Sequence, residues 1–346
     1  MTPRNSFSRP WAGAALYLVL TLAAGAQAGL GTTANSDLAG ILAALHAPTW
    51  QARAQALSAL ESLPPSEIAR HPGEEDTIHL ALIALLAREN RAQNAANIAY
   101  NSAVARHETP KAEGEGAGEY FGELIGAVAG LRDARALPAL IDDIQTGGMA
   151  ADAVAAFGEA SLPLLLKTLR AGSSGDSVCL GPRGPSCVQA MHADVIGTLA
   201  RMCDPGIFNR LSPAGQASVR RALVAALHSS GSSTSTITVL GALQGLSLIH
   251  DTAIEPEIES LALHGDRVTR AQAIHALAAY HDPKTEPVLV AGTRSPDEVT
   301  RAWAVMALAQ FRDAKLRALF SKLAAHDSSS TVRRYAKQAL DALGGN

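Results

Sequence analysis

The chain has 346 residues, a formal charge of −3, and 47% apolar but only 4% aromatic residues. No basic run exists and no aromatics interleave with Lys or Arg, which excludes the usual signature of a nucleic-acid partner. The apolar mass is mostly Ala and Leu, both strong helix formers, and alternating runs of Val, Ile and Thr are nearly absent, so the expected class is all-α.

The first segment, "MTPRNSFSRP", carries Arg4 and Arg9 and no acid, and the apolar run "WAGAALYLVLTLAAGA" follows it. Small residues then stand at Ala26 and Ala28. A basic head, a short apolar stretch and an A-x-A end describe a signal peptide, residues 1–28, with cleavage after Ala28. The competing reading is an uncleaved anchor, although the run is somewhat short of the ~20 residues that span a bilayer. The expectation is therefore an exported chain, periplasmic or extracellular, with no membrane span after cleavage.

From residue 29 to 106 the pattern is helical but degenerate. Its clearest phrase is "ARAQALSAL", Ala52 to Leu60. The stretch "HETPKAEGEGAGEY" then reads as a flexible connector over 107–118, rich in Gly and charge. Beyond it, "RDARALPALIDDI" and "GEASLPLLLKTL" place Pro138 and Pro163 in the opening turn of a helix, where the missing N–H costs nothing. A Gly/Ser/Pro insertion over 172–190 interrupts the helices and holds Cys179 and Cys187. In an exported chain a Cys179–Cys187 disulfide is the natural reading. Cys203 is expected to be a small buried residue, and its pairing with a loop cysteine is the alternative.

The rest of the chain repeats. "TRAQAIHAL" at Thr269, "TRAWAVMAL" at Thr300 and "VRRYAKQAL" at Val332 share Arg, Ala, Ala and Leu at fixed places, and "VRRALVAAL" at Val219 nearly does. Ala and Leu at that spacing form one helical face that must be buried. Asp251, Asp282 and Asp313 recur in step, each opening a turn before another amphipathic segment. The unit reads as helix, Asp turn, helix, and a polar connector. Such hairpins bury their apolar stripe only by stacking on neighbours. These phrases resemble HEAT repeats, in the short form first associated with phycobilin lyases, with Asp266 and Asp297 where the consensus has its leading Asp. The resemblance implies a right-handed α-solenoid over 119–346 and says nothing specific about activity.

The repeated Arg53, Arg270, Arg301 and Arg333 are read as structural, each paired with a turn or connector acid such as Asp282 or Asp313. Deoxyhypusine hydroxylase, which this chain resembles in its repeats, binds iron through His-Glu pairs just after that Arg. The matching positions here are Ala271-Gln272, Ala302-Trp303, Arg334-Tyr335 and Ala54-Gln55, none of which is such a pair. His250 and His281, each followed by Asp, are read as solvated turn residues, as is His326 in a connector. No P-loop, G-x-S-x-G, H-E-x-x-H or C-x-x-C motif is present. Neither catalytic residues, metal ligands nor a cofactor are assigned. The expected function is a scaffold for another protein or a peptide on a concave face formed by the second helices. Asp142, Asp143, Lys167, Arg170, Glu257, Glu259 and Lys322 are its candidate polar residues. The alternative is a metal-binding protein or enzyme whose site leaves no motif.

Overall fold

The computed structural model describes residues 38–64, 73–109, 116–144, 148–171, 185–228, 233–280 and 282–344. The signal segment, the 172–184 part of the insertion with Cys179, the Cys187 side chain, residues 110–115 of the connector and His281 lie outside the described residues. Among those described there is no strand. The helices fall into eight hairpins. They are α1 (Leu38–Ala44) with α2 (Trp50–Glu61), α3 (Glu74–Ala105) with α4 (Ala117–Gly130), and α5 (Leu137–Asp142) with α6 (Gly148–Ala156). Next come α7 (Leu162–Ala171) with α8 (Pro185–Arg201), then the short α9 (Pro205–Phe208) leading into α10 (Pro213–Leu227) with α11 (Ser233–Ile249). The last three are α12 (Glu255–His264) with α13 (Arg267–Tyr280), α14 (Glu286–Gly292) with α15 (Glu298–Gln310), and α16 (Arg317–His326) with α17 (Ser330–Gly344).

Local chemistry fixes the helix ends. Asp297 caps α15 by accepting from the Thr300 N–H at 2.9 Å, while the Thr300 hydroxyl donates back to the same carboxylate. Asp266 does the same for Thr269 at the start of α13. At the other ends, Arg132, His250 and Arg312 adopt left-handed φ values of 50–52°, which stops the helix. The Asp that follows each turns the chain into the next element: Asp133, Asp251 and Asp313 accept from the N–H two residues on, as Asp282 does from Lys284 at 2.9 Å.

These bonds correct two expectations. Asp282 and Asp313 are caps of 3-10 turns and do not pair with the repeated arginines. The unit is also shifted by half a repeat: each helix after an Asp turn packs on the Arg-bearing helix that comes next, across the polar connector, while the Asp turn joins one hairpin to the next. The connector is short, so the two helices it joins must lie side by side and antiparallel.

The hairpins stack into two layers. The inner layer runs α2–α4–α6–α8–α11–α13–α15–α17, and each member touches the next. The outer layer is looser, with α10 and α12, and likewise α14 and α16, scarcely in contact. Tight spacing on one side and loose spacing on the other curve the array, with the first layer inside the bend. Small residues permit the close packing: a Cβ on Gly245 of α11 would stand 3.0 Å from the Ala200 Cα of α8 within the inner layer, and one on Gly292 of the outer α14 would stand 3.1 Å from the Ala304 Cβ of α15. The core is continuous along the stack, from Leu57 and Leu86 through Leu124, Leu140 and Leu199 to Leu277, Leu308 and Phe320.

The array includes the first two hairpins, because α2 packs on α4 and α3 packs on α4 and α5. Residues 185–190, assigned from sequence to the loop insertion, form the opening turns of α8. The phrase at Val219 is not an inner-layer repeat. It lies on α10 in the outer layer, where Arg220 pairs with Asp251 at 2.8 Å.

Candidate functional site

The repeated arginines hold the scaffold. Arg53 donates to the Ala47 and Pro48 carbonyls, Arg270 to Gly265, Arg301 to Ser295 and Pro296, and Arg333 to Asp327 and Ser328. Each thus ties the inner helix to the connector of its own hairpin through backbone oxygens that the turn leaves unpaired. Two reach further. Arg301 makes a two-pronged pair with Asp327 of the next connector, both bonds 2.9 Å, and Arg53 pairs with Glu89 of α3 at 2.7 Å. The two named acids, Asp282 and Asp313, are not the partners, whereas Asp327, which pairs with Arg301, is a connector acid of the expected kind. The carbonyl acceptors carry no sequence signal, since every residue has one.

The candidate surface residues all fall in or beside the outer layer: Asp142 and Asp143 at the end of α5, Lys167 and Arg170 on α7, Glu257 and Glu259 on α12, and Lys322 on α16. The structure therefore overturns their placement on the concave face, because the second helices line the outside of the bend. Lys167, Arg170 and Lys322 are exposed, and Glu257 faces His228 at 3.2 Å. Asp143 is no surface residue: it is 2% exposed, and burial pushes its pKa up to about 8, with Asn90 pulling it down.

The inner face carries a groove of about 610 Å³ across four successive helices, α6, α8, α11 and α13. Its floor is made of small residues: Gly148, Ala151, Ala193, Gly197, Gly241 and Ala276. Helix geometry brings them there. Ala193, Asp194, Gly197 and Arg201 share one face of α8, and Ile237, Leu240, Gly241, Gln244 and Ser247 share one face of α11, at three- and four-residue steps. Close approach of α8 and α11 keeps the floor shallow, since a Cβ on Gly241 would stand 3.5 Å from the Gly197 N.

Polar groups converge on that floor. The Arg201 guanidinium donates to Asp152 at 2.6 Å and to the Gly197 carbonyl at 3.2 Å. Asp194 is half-buried, and no described cation pairs with it. Burial pushes its pKa up to about 6, against a modest opposing pull from Arg201. Gln244, Gln272 and His275 complete the lining, and His275 packs edge-on against Trp303 with ring centroids 4.4 Å apart. The sequence marks Gln272 only by its place in the repeat and His275 only as a buried or edge histidine; nothing marks the set as one site, because four different helices contribute it. The available signal was Gly197 and Gly241, glycines in the interior of helical patterns, which mark close backbone approach.

The chemistry of nucleophiles and metals is sparse among the described residues. No three His, Cys, Asp or Glu side chains come together. Cys203 is a buried free thiol whose pKa burial pushes up to about 12, so it stays protonated and inert. His250 is a turn residue whose Nε2 contacts the Ala279 carbonyl of the next hairpin at 2.8 Å. His79 pairs with Asp133 at 3.1 Å. No single described helix is long and apolar enough to cross a membrane.

Comparison with known families agrees with this architecture. The family model for HEAT repeats matches residues 254–341, the last three hairpins, so this part of the chain is built of HEAT repeats and the remainder continues the same stacking. A search of curated proteins finds no match. HEAT repeats in general serve as protein-interaction scaffolds and are typically not catalytic.

Proposed function

We propose that this protein is an exported scaffold that binds a segment of another protein in the inner groove and has no catalytic activity of its own. The observation that carries this reading is the groove itself: it is continuous across α6, α8, α11 and α13 and combines a small-residue floor with a few convergent polar groups. Export rests on the residue 1–28 pattern, and a Cys179–Cys187 disulfide suits the same compartment. An intact-mass measurement on protein recovered from the envelope fraction tests both. A chain beginning at Gly29, with the mass of the disulfide-bonded form, is expected, whereas a full-length or fully reduced chain overturns the corresponding half.

The groove has its own test. Gly197 is the residue to fill, because a Cβ there meets only the Arg201 Nη1 within 4 Å, at 3.7 Å. Gly197→Leu should raise the floor by a whole side chain, and a thermal melt beside wild type checks that the fold is retained. Wild type and variant, used as bait in the native envelope fraction, should differ: a partner held by wild type is expected to be lost from Gly197→Leu. Equal capture by both moves binding away from the groove.

A further inference from the structure

Charge on the groove wall is unbalanced. Arg201 is already engaged, by Asp152 of α6 and by a carbonyl of its own helix. From α11 the groove receives Gln244 and Ser247, both neutral, and from α13 it receives Gln272 and His275. Burial lowers the His275 pKa, so its imidazole is uncharged at neutral pH. Asp194 is thus the one lining charge without an opposite partner among the described residues, and it stands where solvent is partly excluded.

We infer that the groove takes an extended peptide segment of the partner and holds it by a lysine or arginine side chain paired with Asp194. The inference rests on the scaffold reading above. Three features fit that occupant. The small-residue floor lets a peptide backbone lie close to the helices. Gln244 and Gln272, on adjacent helices, present amide groups that can donate to and accept from a peptide backbone. Ile237, 60% exposed, and Leu240 form an apolar wall for the aliphatic stem of a long basic side chain. An acidic segment would meet Asp194 with Arg201 already taken. A nucleic acid would meet the same repulsion. A free metal ion would find one carboxylate where it needs three or more ligands.

A cation brought to Asp194 restores the stabilisation that burial removes, and the consequence can be measured. Binding should weaken below about pH 6, where Asp194 takes up a proton. Of the other titratable groups facing it, Asp152 and Arg201 form a largely exposed pair, and burial lowers the His275 pKa, so His275 protonation, which would weaken cation binding in the same direction, adds to the change only at lower pH.

A random linear peptide library displayed on phage should be panned on the full mature chain, wild type beside Asp194→Asn. Wild type is expected to enrich peptides with Lys or Arg at one fixed position. One such peptide should lose on the order of tenfold or more in affinity on Asp194→Asn, and a similar factor when its basic residue becomes norleucine. The two changes together should cost little more than either alone. Asp194→Asn removes a half-buried charge with almost no change of shape, so its melting temperature should be unchanged or higher. Enriched peptides with no basic position, bound equally by both proteins but lost on Gly197→Leu, overturn the cation pairing and leave the scaffold reading standing. Peptides that also ignore Gly197→Leu, or no enrichment at all, overturn both. A wild-type dimer in sedimentation that Asp194→Asn splits makes a second copy the occupant and overturns the peptide.

Discussion

Glu89→Ala is expected to destabilise the first two hairpins by about 3–5 kcal/mol, the usual cost of leaving one member of a buried ion pair alone. Arg53 and Glu89 side chains are each 11% exposed and meet at 2.7 Å, with a second bond of 3.1 Å through Nη2. The Tyr120 hydroxyl of α4 completes the cluster, 3.4 Å from the Arg53 Nε and 3.5 Å from the Glu89 carboxylate. Trp50 stacks over Tyr120 with centroids 6.2 Å apart and shields the pair. Three inner and outer helices, α2, α3 and α4, therefore depend on one carboxylate. Removing it leaves the Arg53 Nη1 satisfied by Ala47 and Pro48 and the Nε with its 3.4 Å bond to the Tyr120 hydroxyl, but strands Nη2 and the buried charge. The double variant Arg53→Met/Glu89→Leu should recover much of the loss, because no charge then stays buried. Urea unfolding and limited proteolysis read both. Early cleavage within 50–105 in Glu89→Ala alone is the expected pattern, while a loss of under about 1 kcal/mol would mean that the pair behaves like an exposed one.

Asp143→Asn is expected to act in the opposite direction and only above a certain pH. Burial pushes the folded pKa of Asp143 up to about 8, with Asn90 opposing and Asp142 adding to the rise. An unfolded Asp titrates near 3.9, so between that value and about 8 the folded chain holds the extra proton. Stability must then fall as pH rises through this window and level off above it. Asn is isosteric and never ionises. The variant should match wild type near pH 4 and exceed it progressively toward pH 8, by a few kcal/mol at the top once relaxation around a buried charge is allowed for. Thermal melts of the two proteins across that range decide it, and a difference that does not grow with pH refutes the burial of an ionisable Asp143. Asp194 adds a slope of the same sign only up to about pH 6, so the upper part of the window belongs to Asp143.

Sequence legibility varied with the range of the interaction. The spacing of Ala56 and Leu60, of Ala273 and Leu277, and of Ala304 and Leu308 revealed the helices and their buried faces, because a helix periodicity is local. The leading Asp266 and Asp297 proved to be helix caps, again a matter of three residues. Which layer faces inward was not legible, since both layers are amphipathic and the curvature comes from how closely residues such as Gly245 let the inner helices approach. Asp142 and Asp143 are adjacent and identical in sequence, yet one is half-buried and the other nearly inaccessible; only the position of α3, more than forty residues earlier, separates them. The phrase at Val219 deceived for the converse reason: Ala and Leu at helical spacing recur in any buried helix, whichever layer it occupies.

The unequal spacing of the two layers has a mechanical consequence. Among the described residues the main helix contacts run between neighbouring hairpins, as in other stacked arrays, so the stack deforms like a leaf spring and not like a hinge. Each inner helix packs on the next and the inner layer acts as the stiffer side, whereas the looser outer spacing at α10/α12 and α14/α16 can change at lower cost. Pulling or twisting at either end would change the radius of the arc a little at every joint. A pocket whose walls belong to four successive helices samples that radius directly, so tension on this protein would be read as a change in the width of its grip.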